Sequence, residues 1–240
     1  MTTTTIAIET SDGVADGYFL HPHDGPAPAI IIFMDGLGLR PEYIAMAERL
    51  MANGYAVLLP NMYYRFNPFE PLNLATDHDR MMGMVATITP TTANRDTKAF
   101  LNFLGDHPAV RGRKVGCVGY CMGGAPALSA AAAFPDRVAA AASFHGGRLA
   151  IDEPDSPHRR ASEMQGEIYV GVSEIDPWLE PGETERLKSA LEAGGTAHTV
   201  EIYPGAQHGF TVPGLSVYDE AMSERHWERL LDLFGRTLKS

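Results

Sequence analysis

The sequence predicts an α/β fold: a mostly parallel central sheet flanked by helices, with an antiparallel edge at the N-terminus. Three observations carry this. Residues 29–34 and 55–59 are short, wholly apolar runs on either side of a helical period, and strand, helix and strand in succession imply a right-handed crossover between parallel neighbours. The alternation of strand-like and helical segments then continues to the end of the chain. The first twenty residues differ, alternating apolar and polar in two runs joined by Ser11-Asp12-Gly13, the pattern of a hairpin.

Taken in order, residues 3–9 and 14–20 are the hairpin strands, and Pro22, Gly25, Pro26 and Pro28 break the second. Residues 29–34 read as a strand covered on both faces and run into Asp35-Gly36-Leu37-Gly38, a loop due at the carboxyl edge of the sheet. Residues 40–53 space Ile44, Ala47, Leu50 and Met51 helically, with Pro41 in the first turn and Gly54 as the stop. Residues 55–59 form the next strand, closed by Pro60. Residues 61–92 have no regular period; an excursion of this kind at the carboxyl side of a parallel sheet reads as a lid or pocket wall, or equally as a surface loop with a short helix.

Residues 92–104 form a helix carrying Ala93, Thr97, Phe100 and Leu104 on one side. Residues 115–120 are a strand that passes at once into an Ala-rich helix, which Phe134-Pro135-Asp136 ends. The strand at 138–144 stops at His145-Gly146-Gly147, where His145 reads as a strand-end cap, with lining of the site as the alternative. A polar loop leads to a strand at 167–172, a helix at 183–193 stopped by Gly194-Gly195, and a last strand at 198–203. Residues 218–238 form an amphipathic helix (Met222, Trp227, Leu230, Leu231, Phe234) that should pack across the sheet.

With 240 residues, 45% apolar and 20% charged, composition is that of one globular domain spanning residues 1–240. A net charge of −11 without a Lys/Arg cluster argues against nucleic-acid and acidic-membrane partners. No run approaches the 18 or so apolar residues of a membrane span, and the first residues lack a basic segment followed by an apolar core, so a cytoplasmic protein is expected. Cys117 and Cys121 lie on one strand roughly 13 Å apart, beyond the reach of a disulfide, which fits a reducing compartment. Cys117, mid-strand, reads as a small core residue.

Gly119-Tyr120-Cys121-Met122-Gly123 is different. A strand stops on one reactive residue, with glycines two before and two after it, and turns directly into a helix. This is a nucleophile elbow of the G-x-Nu-x-G kind with Cys in place of Ser. The flanking glycines remove Cβ atoms that would collide with strand and helix, and free N–H groups at the helix start stabilise negative charge. Asp176 and His208 also sit directly after predicted strands, so the three would emerge on one edge of the sheet, in the order nucleophile, acid, histidine. Glu174 is the alternative acid if the strand is out of register. Histidine would take the thiol proton, the carboxylate would hold the ring's tautomer, and the amides of Met122 and of the loop near Leu37 would receive an oxyanion.

Gly119–Gly124, Glu174-Ile175-Asp176-Pro177 and Ala206-Gln207-His208-Gly209-Phe210, with residues 30–65, resemble the dienelactone hydrolase (carboxymethylenebutenolidase) family of the α/β-hydrolase superfamily over nearly the whole chain. The resemblance implies opening of an activated ester or lactone through an acyl-cysteine, with Cys121, Asp176 and His208 as triad and Leu37 and Met122 as amide donors. It further implies an acidic residue that touches the resting thiol, here Asp35 in place of the longer Glu, and arginines that hold a substrate carboxylate. Arg80 matches one; Val212 stands where the other would be. Expected partners are a small-molecule ester or lactone and no nucleic acid or membrane, in a monomer or homodimer, with neither metal nor organic cofactor. Alternatives are a thioesterase or general carboxylesterase, or a non-catalytic small-molecule binder on the same fold.

Overall fold

The computed structural model describes residues 2–239. Its strands are β1 (Thr2–Thr10), β2 (Gly13–His21), β3 (Ala27–Phe33), β4 (Ala56–Pro60), β5 (Val110–Tyr120), β6 (Val138–Phe144), β7 (Glu167–Ile175) and β8 (His198–Gln207). They form one eight-stranded sheet in the order β1-β2-β4-β3-β5-β6-β7-β8. β1 pairs with β2 and β2 with β4 antiparallel, and every other pairing is parallel. This is the α/β-hydrolase fold with its antiparallel N-terminal edge.

The helices are α1 (Pro41–Ala52), α2 (His78–Val85), α3 (Pro90–Asp106), α4 (Gly124–Ala133), α5 (Glu183–Ala193) and α6 (Glu220–Leu238). Successive side chains of a strand point to opposite faces, and β5 shows what each face meets. A Cβ on Gly116 would lie 2.5 Å from the Phe234 ring of α6, whereas one on Gly119 would strike Gly123 and Gly124 at the start of α4. The glycines therefore let α6 and α4 close on the sheet from opposite sides. α1 shares the face of α6, where Arg49 stacks on Trp227 and pairs with Glu224. β3 and β4, buried throughout, and β6, buried except at Ala139, fill the centre with hardly a polar side chain among them.

Among the boundaries that differ from the sequence expectation, four have a clear physical reason. β5 starts at Val110, where Val110 pairs with Ala27, although its first residues are solvated and so lack an apolar signature. β7 continues through Ile175 rather than ending at Val172, and β8 runs through Pro204 to Gln207. Proline is tolerated there because β8 is an edge strand, and the register shifts between Ser173 and Ile175, so that residues 204–206 bulge. α3 begins at Pro90, ahead of the expected residue 92, because Thr89 and Thr92 cap it reciprocally and Pro90 occupies the first turn.

The 61–92 excursion contains a single 3₁₀ turn, Tyr64–Phe66, then α2 and the first three residues of α3. Its base is fixed by Arg65, which binds Asp12 of the hairpin connection and Asp96 of α3. Its body packs on the 35–38 loop: Leu72 N–H donates to Leu37 O, the Phe69 ring lies over Gly38, and Met81 and Val85 lie over Gly36.

Candidate active site

Cys121 is half-buried at the tip of β5 and has φ +52°, the left-handed conformation that a non-glycine residue adopts only under strain. A Cβ on Gly119 would stand 1.9 Å from Gly123 O and one on Gly123 2.2 Å from Phe33 O, so neither position admits another side chain at this turn. Three 3₁₀ residues, Cys121–Gly123, lead into α4. The Met122 amide is at the very start of this helical run, where N–H groups have no partner within the helix.

Asp176 follows β7 and His208 follows β8, and their side chains meet: His208 Nδ1 lies 2.8 Å from Asp176 Oδ2. The carboxylate is itself fixed, by Ser173 Oγ donating to Oδ2 at 2.9 Å and the Trp178 amide donating to Oδ1 at 3.0 Å. Glu174 takes a separate role, accepting from the Gly205 amide of the bulge at 2.7 Å. Burial by itself would depress the His208 pKa; the bond to Asp176, then the adjacent Cys121 thiol, outweigh it and push the pKa up to about 10. Nε2 of His208 is buried, with no well-aligned hydrogen-bond partner among the described residues. Cys121 therefore acts on the ring from close by, but thiol and imidazole stop short of a well-formed hydrogen bond.

The loop after β3 departs from expectation in two ways. Both oxygens of Asp35 are taken by Arg40, at 2.6 and 2.8 Å, in a pair with side chains only 7% and 9% exposed, so Asp35 is committed to Arg40 rather than to the thiol or a ligand. The Leu37 amide is also spent, donating to Asp35 Oδ1 at 3.0 Å. One residue earlier, the Gly36 N–H has no acceptor among the described residues. The Tyr63 hydroxyl ties Gly36 to the elbow, lying 3.1 Å from Gly36 O and 3.2 Å from Met122 Sδ. Of the amides of Gly36 and Leu37, the one left without an acceptor among the described residues is thus that of Gly36. Sequence reading placed the loop's oxyanion donor at Leu37 and passed over Arg40 and Tyr63, because spacing along a strand end does not reveal which amide a short acidic side chain will consume. Arg80 lies on the solvent side of α2 with no ion pair among the described residues, and Val212 is fully buried. No group of three or more His, Cys, Asp or Glu among the described residues could hold a metal ion.

A strained, glycine-flanked strand-to-helix elbow on a mostly parallel sheet, with a carboxylate–imidazole pair beside it, is the arrangement of the α/β-hydrolase class. The dienelactone hydrolase family model matches residues 15–238, and the chain belongs to that family. Among similar proteins is one from Synechocystis named for carboxymethylenebutenolidase activity, 26% identical over 99% of this chain and 98% of that one. Another, from Bradyrhizobium, is named for 2-oxo-3-(5-oxofuran-2-ylidene)propanoate lactonase activity and is 25% identical over 96% and 95% of the two chains. In three dimensions the chain resembles a dienelactone hydrolase of Klebsiella pneumoniae (TM-score 0.86, 20% identity, 98% of each chain). It also resembles a dienelactone-hydrolase-like promiscuous phosphotriesterase from metagenomic libraries (TM-score 0.82, 24% identity, 99% and 100% covered). No helix among the described residues is long and apolar enough to cross a membrane.

Proposed function

We propose that this hydrolase opens an activated ester or lactone through an acyl intermediate on Cys121. The observation that carries the reading is a mostly buried imidazole, bonded to a buried carboxylate, whose second nitrogen has no partner among the described residues and lies beside a strained cysteine. His208 accepts the thiol proton at Nε2, and Asp176 holds Nδ1–H and supports the imidazolium. The sulfur attacks the carbonyl carbon, and the Met122 and Gly36 amides receive the oxyanion. As the intermediate collapses, Nε2–H protonates the departing oxygen; the same nitrogen then takes a proton from water, which attacks the acyl carbon and frees the thiol.

The relatives named for lactone hydrolysis support a lactone or ester as substrate. Chemistry narrows it. A thiolate leaves readily from a tetrahedral intermediate, so productive substrates carry a leaving group that is better still, an enolate or phenolate rather than an amine or alkoxide. The family resemblance implies Arg80, exposed and without an ion pair among the described residues, as a guanidinium for a substrate carboxylate, while Val212 supplies none. The test is mass spectrometry of the Cys121 peptide after brief exposure to p-nitrophenyl acetate. An acetyl group on Cys121 is expected, and Cys121→Ala should lose about a thousandfold or more in turnover with its fold intact. Near wild-type turnover in that variant would refute the assignment.

A further inference from the structure

The loop after β6 takes no part in the steps above, yet its backbone is strained: His145 has φ +40° and Arg148 φ +62°. His145 is fully buried. Its ring centre lies 5.1 Å from that of His208, at 63°, and 5.5 Å from Phe210, at 73°. Its Nε2 bonds Thr211 Oγ1 at 2.7 Å, and Thr211 is buried on the loop that carries His208. A neutral imidazole has one donor and one acceptor nitrogen. With Nε2 spent on Thr211, Nδ1 is left buried and unpartnered among the described residues. Next to the ring is a cavity of about 10 Å³ with mostly apolar walls, among which His145, Ser173, Asp176, Glu183 and Thr184 are the polar members. One water needs about that much room, and two or more polar partners.

We propose that His145 is a positioning residue for His208: tied to the His208 loop through Thr211 and to Asp176 through one water on Nδ1, it sets the plane in which His208 presents Nε2 to Cys121. This rests on the reading of Cys121, Asp176 and His208 as the reacting groups. A mere strand-end cap has no use for a ring bonded across to the loop that carries His208. The ring is also suited electrically. Burial first, and His208 second, hold its pKa well below the ordinary value, so it neither competes for the proton nor repels a charged His208. The titratable groups around it are His208 on the β8 loop, Tyr120 on β5, His226 on α6, and Asp176 and Glu183 across the cavity.

The test follows His208 itself, by its ring ¹⁵N shifts against pH, in the wild type, Thr211→Val, Thr211→Ser and the double variant His145→Phe/Thr211→Val, with melting curves for each. The double variant replaces both hydrogen-bonding partners by apolar groups, so no buried polar atom is left unpaired, while Phe at the positive φ of residue 145 adds strain. Expected are a melting midpoint lowered by about 2–12 °C in Thr211→Val, which strands the His145 nitrogen, a His208 titration lowered by about one unit or more in Thr211→Val and in the double variant, and a roughly tenfold loss in kcat at little-changed KM. Thr211→Ser, which keeps the hydroxyl, should restore the titration and kcat. Folded variants whose His208 titrates as in the wild type overturn the proposal, and Thr211→Val decides alone if the double variant does not fold. A wild-type His208 that already titrates in the ordinary range removes the underlying dyad, and this role with it.

Discussion

Arg40→Leu should be among the more damaging single substitutions outside the reacting groups. The guanidinium meets both oxygens of Asp35, at 2.6 and 2.8 Å, with both side chains under a tenth exposed, and it also donates to Gly38 O at 3.1 Å. Removing one partner of a buried pair strands the other charge and costs about 3–5 kcal/mol. At about 2–4 °C per kcal/mol for a chain of this size, the melting midpoint should fall by roughly 6–20 °C. The loop that bears Gly36 loses two anchors at once, so kcat should fall more than KM rises. Urea and thermal melts of the wild type, Arg40→Leu, Asp35→Asn and the double variant close a cycle. The double variant should recover part of the loss, because no unpaired charge is left inside. If Arg40→Leu stays within about 1 kcal/mol of wild type, the pair behaves as a solvent-screened surface bridge and the reasoning fails.

Three further outcomes are expected. Gly119→Ala, whose Cβ would stand 1.9 Å from Gly123 O, should be insoluble or destabilised by more than about 4 kcal/mol, whereas Gly83→Ala in α2, with nothing within 4 Å, should gain up to about 1 kcal/mol; similar stabilities for the two would contradict the packing of the elbow. His208, with its pKa raised to about 10 in the fold, contributes stability that is complete below about pH 6.5 and is lost as pH rises towards 10. Unfolding free energy should therefore drop by a few kcal/mol across that window, at about 1.4 kcal/mol per unit, and an equally steep drop in His208→Gln would assign it to other groups. Finally, p-nitrophenyl esters should turn over faster than the matching anilides by orders of magnitude, and equal rates would count against acyl transfer to sulfur.

Much of the fold and the core of the candidate site was legible in the chain because the signals are local. Parallel strands buried on both faces are apolar throughout, as in residues 29–34, and a nucleophile elbow needs glycines at fixed offsets whatever surrounds it. Asp176 and His208 were reachable by the same logic, since a residue following a parallel strand emerges at a known edge of the sheet. The extension of β8 through Pro204 was not legible, because it depends on that strand lying at the edge opposite a register shift in β7.

Sequence alone thus determined which elements form, which tips carry a sulfur, a carboxylate and an imidazole, and that these share an edge. Tertiary structure decided how neighbouring groups use up their hydrogen-bonding capacity. Asp35 faces Arg40 and consumes the Leu37 amide, Gly36 keeps its own, and His145 lies against His208. Such choices turn on tenths of an ångström between groups distant in the chain. Residue order constrains only the backbone near each group, whereas partner selection is settled by packing the whole.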